Sequence, residues 1–185
     1  MQLSNRDAVA IAVPVRNEAV RLPPLLSALA GQVDAPPFTL CLFFDNCVDG
    51  SEAIAASLRP GLPYTIRTEG CDRGGPPNAG RARSRAMALA EAVAPNGILL
   101  TTDADGEPAP DWIARNLAAL SAVELVAGRV VRASGPASDR QDRIEAYYHR
   151  LHAMRRAIDP VPWEAHPTHH WTSGASLAMR AATYR

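Results

Sequence analysis

Two carboxylates one residue apart, Asp103 and Asp105, stand at the end of the apolar run Ile98-Leu99-Leu100-Thr101-Thr102. The run is rich in Ile, Leu and Thr and reads as a buried strand. After it come Gly106, Pro108 and Pro110, and then Asp111 opens a helix of apolar periodicity. Acids at a strand end of an open α/β sheet face the crevice where ligands bind. Carboxylates held close together repel each other, and a divalent cation relieves that repulsion. Hard oxygen ligands select Mg2+ or Mn2+, which takes one or two protein carboxylates and leaves its other positions to phosphate oxygens and water. The stretch therefore suggests a site for a metal-bound diphosphate. Asp and Gly also form ordinary turns after strands, so the Asp-x-Asp pattern alone fits a turn equally well.

Other residues at element ends carry chemistry of the same kind. Arg16-Asn17-Glu18 follows the apolar run Ala8 to Val15, and Asp45-Asn46-Cys47-Val48-Asp49-Gly50-Ser51 follows the run Phe38 to Phe44. Arg16 and Glu18 read either as ligand contacts or as a surface ion pair of small worth. Arg81, Arg83 and Arg85 alternate at a helix start, so they cannot all face one ligand. His149 and His152 share a helix face, with His166, His169 and His170 near in sequence, a composition that could bind zinc. With no Cys partner and no His-Glu-x-x-His pattern, surface and loop histidines are the simpler reading. Tyr147 and Tyr148 read as helix packing rather than stacking on a ligand.

The elements that position these groups follow from patterning. Ala8–Val15 and Phe38–Phe44 are continuous apolar runs of the kind buried on both faces of a parallel sheet. Leu22, Leu25, Leu26 and Leu29 repeat at helical spacing with Pro23 near the start, and Ser51 is placed to cap a helix through Leu58. Leu62–Arg67 is expected to be a third strand. Glu69–Gly80, rich in Gly, Pro and Asp, is expected to be a loop. An Ala-rich helix from Arg81 to Ala94 leads to the strand with the acid pair, then a helix Asp111–Ala122 and a strand Glu124–Arg132 interrupted at Gly128. A loop at Ser134–Ser138, a helix Arg140–Ala157, an irregular stretch Asp159–Thr168 and a small-residue turn entering a last strand complete the chain. Alternation of this kind predicts an α/β fold with a mostly parallel sheet flanked by helices and right-handed crossovers.

The bulk numbers set limits. At 185 residues the chain fits one domain with one sizeable core. Lys plus Arg equals Asp plus Glu at 19 each, so no net field points to nucleic acid or an anionic membrane. The basic residues are arginine, suited to carboxylate and phosphate. The odd count of cysteines, Cys41, Cys47 and Cys71, with no Cys-x-x-Cys spacing, fits a reducing compartment. The first residues are polar and no apolar run approaches the roughly 18 residues of a span, so a cytoplasmic protein is expected, with peripheral membrane contact left open.

Taken together, Pro14-Val15-Arg16-Asn17-Glu18, the Asp45 to Ser51 stretch, Asn78-Ala79-Gly80-Arg81-Ala82-Arg83-Ser84-Arg85, Asp103-Ala104-Asp105 and Ser173-Gly174-Ala175-Ser176-Leu177-Ala178-Met179-Arg180 resemble the family 2 glycosyltransferases of the GT-A fold, a Rossmann-like architecture, along nearly the whole chain. The resemblance implies transfer of a sugar, hexosyl in type, from a UDP-, GDP- or dTDP-sugar to a saccharide or lipid-linked acceptor, with Mg2+ or Mn2+ as cofactor and inversion at the sugar. It implies nucleotide contacts from Pro14, Arg16 and Glu18, from Asp45 or Asn46, and from Arg83. Asp103 and Asp105 would hold the metal, Asp105 more directly and Asp103 nearer the ribose. Gly174 and Ala175 fall on the acceptor side, with His170 or Trp171 lining the acceptor pocket. Residues 1–133 would form the nucleotide-binding part and 134–185 the start of the acceptor-side part. The second acid often found after strand two in the family is Asn46 here, and the Gln-x-x-Arg-Trp signature of processive synthases is absent. The family's general base usually lies a few tens of residues past the Gly-Ala-x-Leu turn, which places it beyond Arg185 and makes the sequence read as a C-terminally truncated catalytic domain. Two alternatives remain at this point: a nucleotidyltransferase of similar frame, whose usual Gly-rich loop with Arg and Lys is replaced by Val15-Arg16-Asn17-Glu18-Ala19, and a nucleotide-sugar-binding module without activity.

Overall fold

The computed structural model describes residues 8–72, 78–131, 138–160 and 174–185. It consists of two compact units, Met1–Gly128 with Gly174–Arg185, and Arg129–Ser173.

The first unit is built on a six-stranded sheet of order β3-β2-β1-β4-β6-β5. Its strands are β1 (Val9–Val15), β2 (Phe38–Asp45), β3 (Thr65–Cys71), β4 (Ile98–Thr102), β5 (Leu125–Ala127) and β6 (Ser176–Arg180). β1 pairs in parallel with β2 and β4, and β2 with β3, while β6 runs antiparallel to both β4 and β5. Five strands thus share one direction, and the last strand to form in sequence inserts between β4 and β5 against it. The helices are α1 (Leu22–Ala30), α2 (Ser51–Leu58), α3 (Ala79–Val93), α4 (Trp112–Ala119) and α6 (Ala181–Tyr184).

Side chains alternate across β1 and so divide the core into two layers. Val9, Ile11, Val13 and Val15 cluster with the leucines of α1, with Ala55 of α2 and with Ile113 of α4. Ala10 and Ala12 cluster instead with Ala82, Ala86, Met87 and Ala90 of α3. Alanine on both sides of that second layer lets helix and sheet approach closely.

Several expected boundaries shift. β3 continues through Glu69, Gly70 and Cys71, which pair with Phe43, Phe44 and Asp45, where a loop was expected; an edge strand needs a partner on one side only, so it tolerates a glycine and charged residues. α2 begins at Ser51 with Gly50 in the cap position at φ 84°, and no side chain caps it. The Ser51 hydroxyl instead donates to Asp49 Oδ1 at 2.6 Å. α3 starts at Ala79, two residues earlier than expected, because Asn78 Oδ1 accepts from the Arg81 amide at 2.8 Å. β5 ends at Ala127, short of the expected Arg132, and the Gly128 amide bonds to the Ser176 carbonyl at 2.8 Å.

The second unit contributes α5 (Asp139–Ile158), capped by Ser138, with Asp139 and Asp142 in the first turn and Arg155 and Arg156 in the last, as the helix dipole favours. None of its residues is buried. Tyr147 and Tyr148 are exposed and meet edge to face at 5.6 Å. No helix among the described residues is long and apolar enough to cross a membrane.

Candidate functional site

From β1 the chain steps to β2 and β3 on one side and then returns to β4 on the other. The strand order reverses between β1 and β4, the kind of switch point at whose carboxyl ends open α/β sheets bind ligands. Pairing of β1 with β4 stops at Ala12, while pairing with β2 continues to Val15. Pro14, which has no N–H to donate, therefore sits where only one neighbouring strand pairs with it.

Beyond β1 and β2 the two loops are bonded to each other. Asn17, left-handed at φ 55°, accepts the Val48 amide at 2.8 Å on its Oδ1. The Glu18 amide donates to Ser51 Oγ at 2.9 Å and the Ala19 amide to Asp49 Oδ2 at 2.8 Å. Those hydrogen bonds hold the Asp49 carboxyl below its ordinary value, with the Ser51 hydroxyl first among them. Asp45, at the end of β2, is buried and accepts from Arg16 Nη1 at 3.3 Å and from Asn46 Nδ2 at 2.8 Å. Asn46 is itself left-handed at φ 51°; its Oδ1 is buried without a described hydrogen-bond partner.

The arm after β4 meets arginines from two directions. Asp103 pairs with Arg83 Nη2. Arg83 Nη1 also donates to Thr101 Oγ1 at 2.6 Å and to the Gly174 carbonyl at 2.7 Å. Asp105 is half exposed and lies 3.8 Å from Arg21, which also approaches Glu18 at 3.5 Å. Burial raises the Glu18 carboxyl above its ordinary value; Arg21 opposes that shift, while Asp105 and Asp49 add to it.

Asp103 is engaged by a guanidinium, whereas Asp105 has an exposed carboxylate and only a long contact to Arg21. Among the described residues no three His, Cys, Asp or Glu side chains converge as a metal cage. A donor set of one or two carboxylates fits Mg2+ or Mn2+ completed by phosphate oxygens and water, and does not suit zinc, which takes three or four protein ligands. Asp105, with Asp103 beside it, would hold such an ion.

The family model of glycosyl transferase family 2 matches residues 10–182. The chain belongs to that family. No curated protein sequence matches it. Among solved structures, S. aureus TarS 1-349 in complex with UDP-GlcNAc is 24% identical, with a TM-score of 0.51 over 69% of this chain and 37% of that one. Glucosyl-3-phosphoglycerate synthase from Mycobacterium tuberculosis in complex with Mn2+, UDP-glucose and phosphoglyceric acid is 16% identical, with a TM-score of 0.54 over 96% of this chain and 57% of that one. The same enzyme with Mg2+ and UDP is 17% identical, with a TM-score of 0.55 over the same shares of both chains. The likeness shows a shared GT-A glycosyltransferase fold, and the chain spans between 37% and 57% of these structures' lengths.

In this family 2 chain, Pro14, Arg16, Glu18, Asp45, Asn46, Asp103 and Asp105 all lie at or beside the carboxyl ends of β1, β2 and β4. Arg83 reaches the same edge from α3, and Gly174 and Ala175 precede β6 there. Of the three alternating arginines, Arg85 pairs with Glu69 at 3.3 Å and lies over the Phe43 ring, and Arg81 is exposed. His166, His169, His170 and Trp171 lie outside the described residues. Arg21, Thr101 and Asp49 are not singled out by the sequence, and Ser51 enters there only as a helix cap. The position of Arg21 three residues after Glu18 at a helix start was the available signal for it; for Thr101 there was none, since its bond to Arg83 spans 18 positions.

Proposed function

We propose that this chain binds a nucleotide-diphosphate sugar together with Mg2+ or Mn2+ and serves an inverting hexosyl transfer to a saccharide or lipid-linked acceptor. The observation that carries the reading is that Asp103 and Asp105 follow β4 at the β1/β4 switch point, with Arg21 lying between Asp105 and Glu18 of the segment after β1. UDP is the first candidate nucleotide, because the similar solved structures are complexes with UDP or a UDP-sugar.

The roles follow from the groups present. Asp45 offers an acceptor and Arg16 a donor side by side, the complement of a nucleobase edge. Asn46 stands next to them, its Oδ1 buried without a described hydrogen-bond partner. Pro14 and Glu18 line the loop on the other side. As the glycosidic bond breaks, negative charge grows on the leaving diphosphate, and arginine and metal charge at that place stabilises it. A bound divalent ion would supply Lewis-acid neutralisation of that diphosphate. Asp105 would fix its position, and Asp103 would lie nearer the ribose. The Gly174–Ala175 turn would lie on the acceptor side, with His170 or Trp171 in the acceptor wall. A cytosolic location, where the free thiols Cys41, Cys47 and Cys71 would stay reduced, belongs to the same reading.

Calorimetric titration of UDP, GDP and dTDP, first with Mn2+ and then with EDTA, tests it. The expected result is metal-dependent binding of one of them, weakened at least tenfold in Asp105→Ala, equivalent to about 1.4 kcal/mol. Unchanged metal-dependent binding in that variant would remove Asp105 from the site, and binding of none would overturn the functional reading.

A further inference from the structure

Arg83 differs from every other arginine of the site in how completely the protein itself occupies it. Nη1 donates to Thr101 Oγ1 at 2.6 Å and to the Gly174 carbonyl at 2.7 Å, and approaches the Thr102 carbonyl at 3.4 Å. Both Nη1 hydrogens therefore have protein acceptors. Nη2 pairs with Asp103, and the side chain is only 23% exposed. A guanidinium is suited to such work because its donors are fixed in one plane and it stays charged at every working pH.

Gly174, whose carbonyl accepts from Nη1, also lies against the Nε end of the same guanidinium. A methyl group built on Gly174 would overlap Arg83 Nε and crowd its Cζ and Cδ. Such an overlap is harmless where the arginine can swing away. Here swinging away means giving up Thr101, Asp103 and the Gly174 carbonyl together. Two residues after Gly174 the chain enters β6, where Ser176 pairs with Thr102, the last residue of β4 before the acid arm.

We infer that Arg83 is a positioning residue that locks the acid arm after β4 to the turn entering β6, and that position 174 must be glycine because a side chain there drives Arg83 off Asp103. The Asp103–Asp105 arm then has its geometry set before any nucleotide arrives. The same guanidinium joins the donor-side acids to the turn that family resemblance puts beside the acceptor. This inference rests on the reading of the acid arm as the metal–diphosphate site, but the contact itself does not.

A double-mutant cycle of Arg83→Ala, Gly174→Ala and the pair separates the two. Thermal denaturation of the four proteins reads the contact without any ligand. Each single variant is expected to melt below the wild type, and the double variant is expected to melt no lower than Arg83→Ala, since the alanine at 174 then has nothing to displace. If Gly174→Ala does not fold alone, its recovery on adding Arg83→Ala is the expected result. Additive losses, or no recovery, would overturn the inference.

The positioning role is read by UDP titration with Mn2+ and with EDTA. In Arg83→Ala and Gly174→Ala the ratio of the two affinities should fall by about tenfold, the usual cost of losing a partner that orients a metal ligand. Ile66→Ala, a core truncation in β3 at the far edge of the sheet, should lower the melting temperature and leave that ratio unchanged. An unchanged ratio in the two site variants would refute the positioning role. If wild-type protein bound no UDP, the functional reading would fail while the thermal cycle still decided the Arg83–Gly174 contact.

Discussion

Asp49 ties the loop after β1 to the loop after β2, and its charge is the condition for doing so. Its carboxylate accepts from the Ser51 hydroxyl, the Ser51 amide and the Ala19 amide at 2.6, 3.1 and 2.8 Å. The ionised form accepts all three more strongly than the protonated one, so the folded state holds the group below its ordinary value of 3.8. A depressed acid contributes stability above its unfolded pKa and loses it as the pH falls through the folded one. Denaturant unfolding from about pH 5 to about pH 2 should therefore show a steeper loss of stability in the wild type than in Asp49→Asn; parallel profiles would show that the bonds contribute nothing. That Asp45, Asp103 and Asp105 stand at the ends of strands was legible in the sequence, because each follows closely on a buried apolar run. Residue-scale reading misses Asp49 and Ser51 as a pair, since serine beside a helix start reads first as a cap and the competing acceptor two residues earlier is invisible to pattern. It could not see what Arg83 holds, because its acceptors at Thr101, Asp103 and Gly174 lie 18, 20 and 91 positions away.

At the scale of elements, the layer under α3 is set by small residues. Ala86 is fully buried and shares its cluster with Ala10, Ala12 and Ala90. A larger side chain there must push α3 off β1, and Ala86→Leu should cost about 1–3 kcal/mol by urea unfolding. Ser84→Ala on the exposed face of the same helix should be neutral or slightly stabilising. A neutral Ala86→Leu would mean that the helix–sheet spacing is set elsewhere. The central strands were legible because β1, β2 and β4 are buried on both faces and read as unbroken apolar runs. The edges were not. The end of β3 looked like a loop because Glu69-Gly70-Cys71 has loop composition and acquires its strand geometry from Phe43, Phe44 and Asp45. β5 was read as longer than it is because the valines after Gly128 continue the apolar pattern; Val130 and Val131 are exposed and lie outside the strand.

At the scale of the whole chain, the order of the sheet separates what the fold needs from what it carries. β5 and β6 are antiparallel neighbours, Ala127 beside Leu177, and the Gly128 amide bonds to the Ser176 carbonyl. The entire Arg129–Ser173 unit is thus the connection between two strands that already meet. β6 also completes β4, whose five residues are all buried. Ending the chain before Gly174 would strip β4 of a neighbour, orphan β5 and remove the Gly174 carbonyl from Arg83. Replacing Arg129–Ser173 by a Gly-Ser linker of about four residues, within the usual length of a hairpin loop, would leave every sheet pairing in place. The excised protein should unfold in one cooperative transition and still bind UDP with Mn2+, since Arg16, Asp45, Asp103 and Asp105 all belong to the first unit. The protein ended at Ser173 should show no cooperative transition. If the excised form unfolds without cooperativity, the sheet depends on the intervening unit. If it folds but has lost the nucleotide, donor binding draws on residues of that unit rather than on the switch point between β1 and β4.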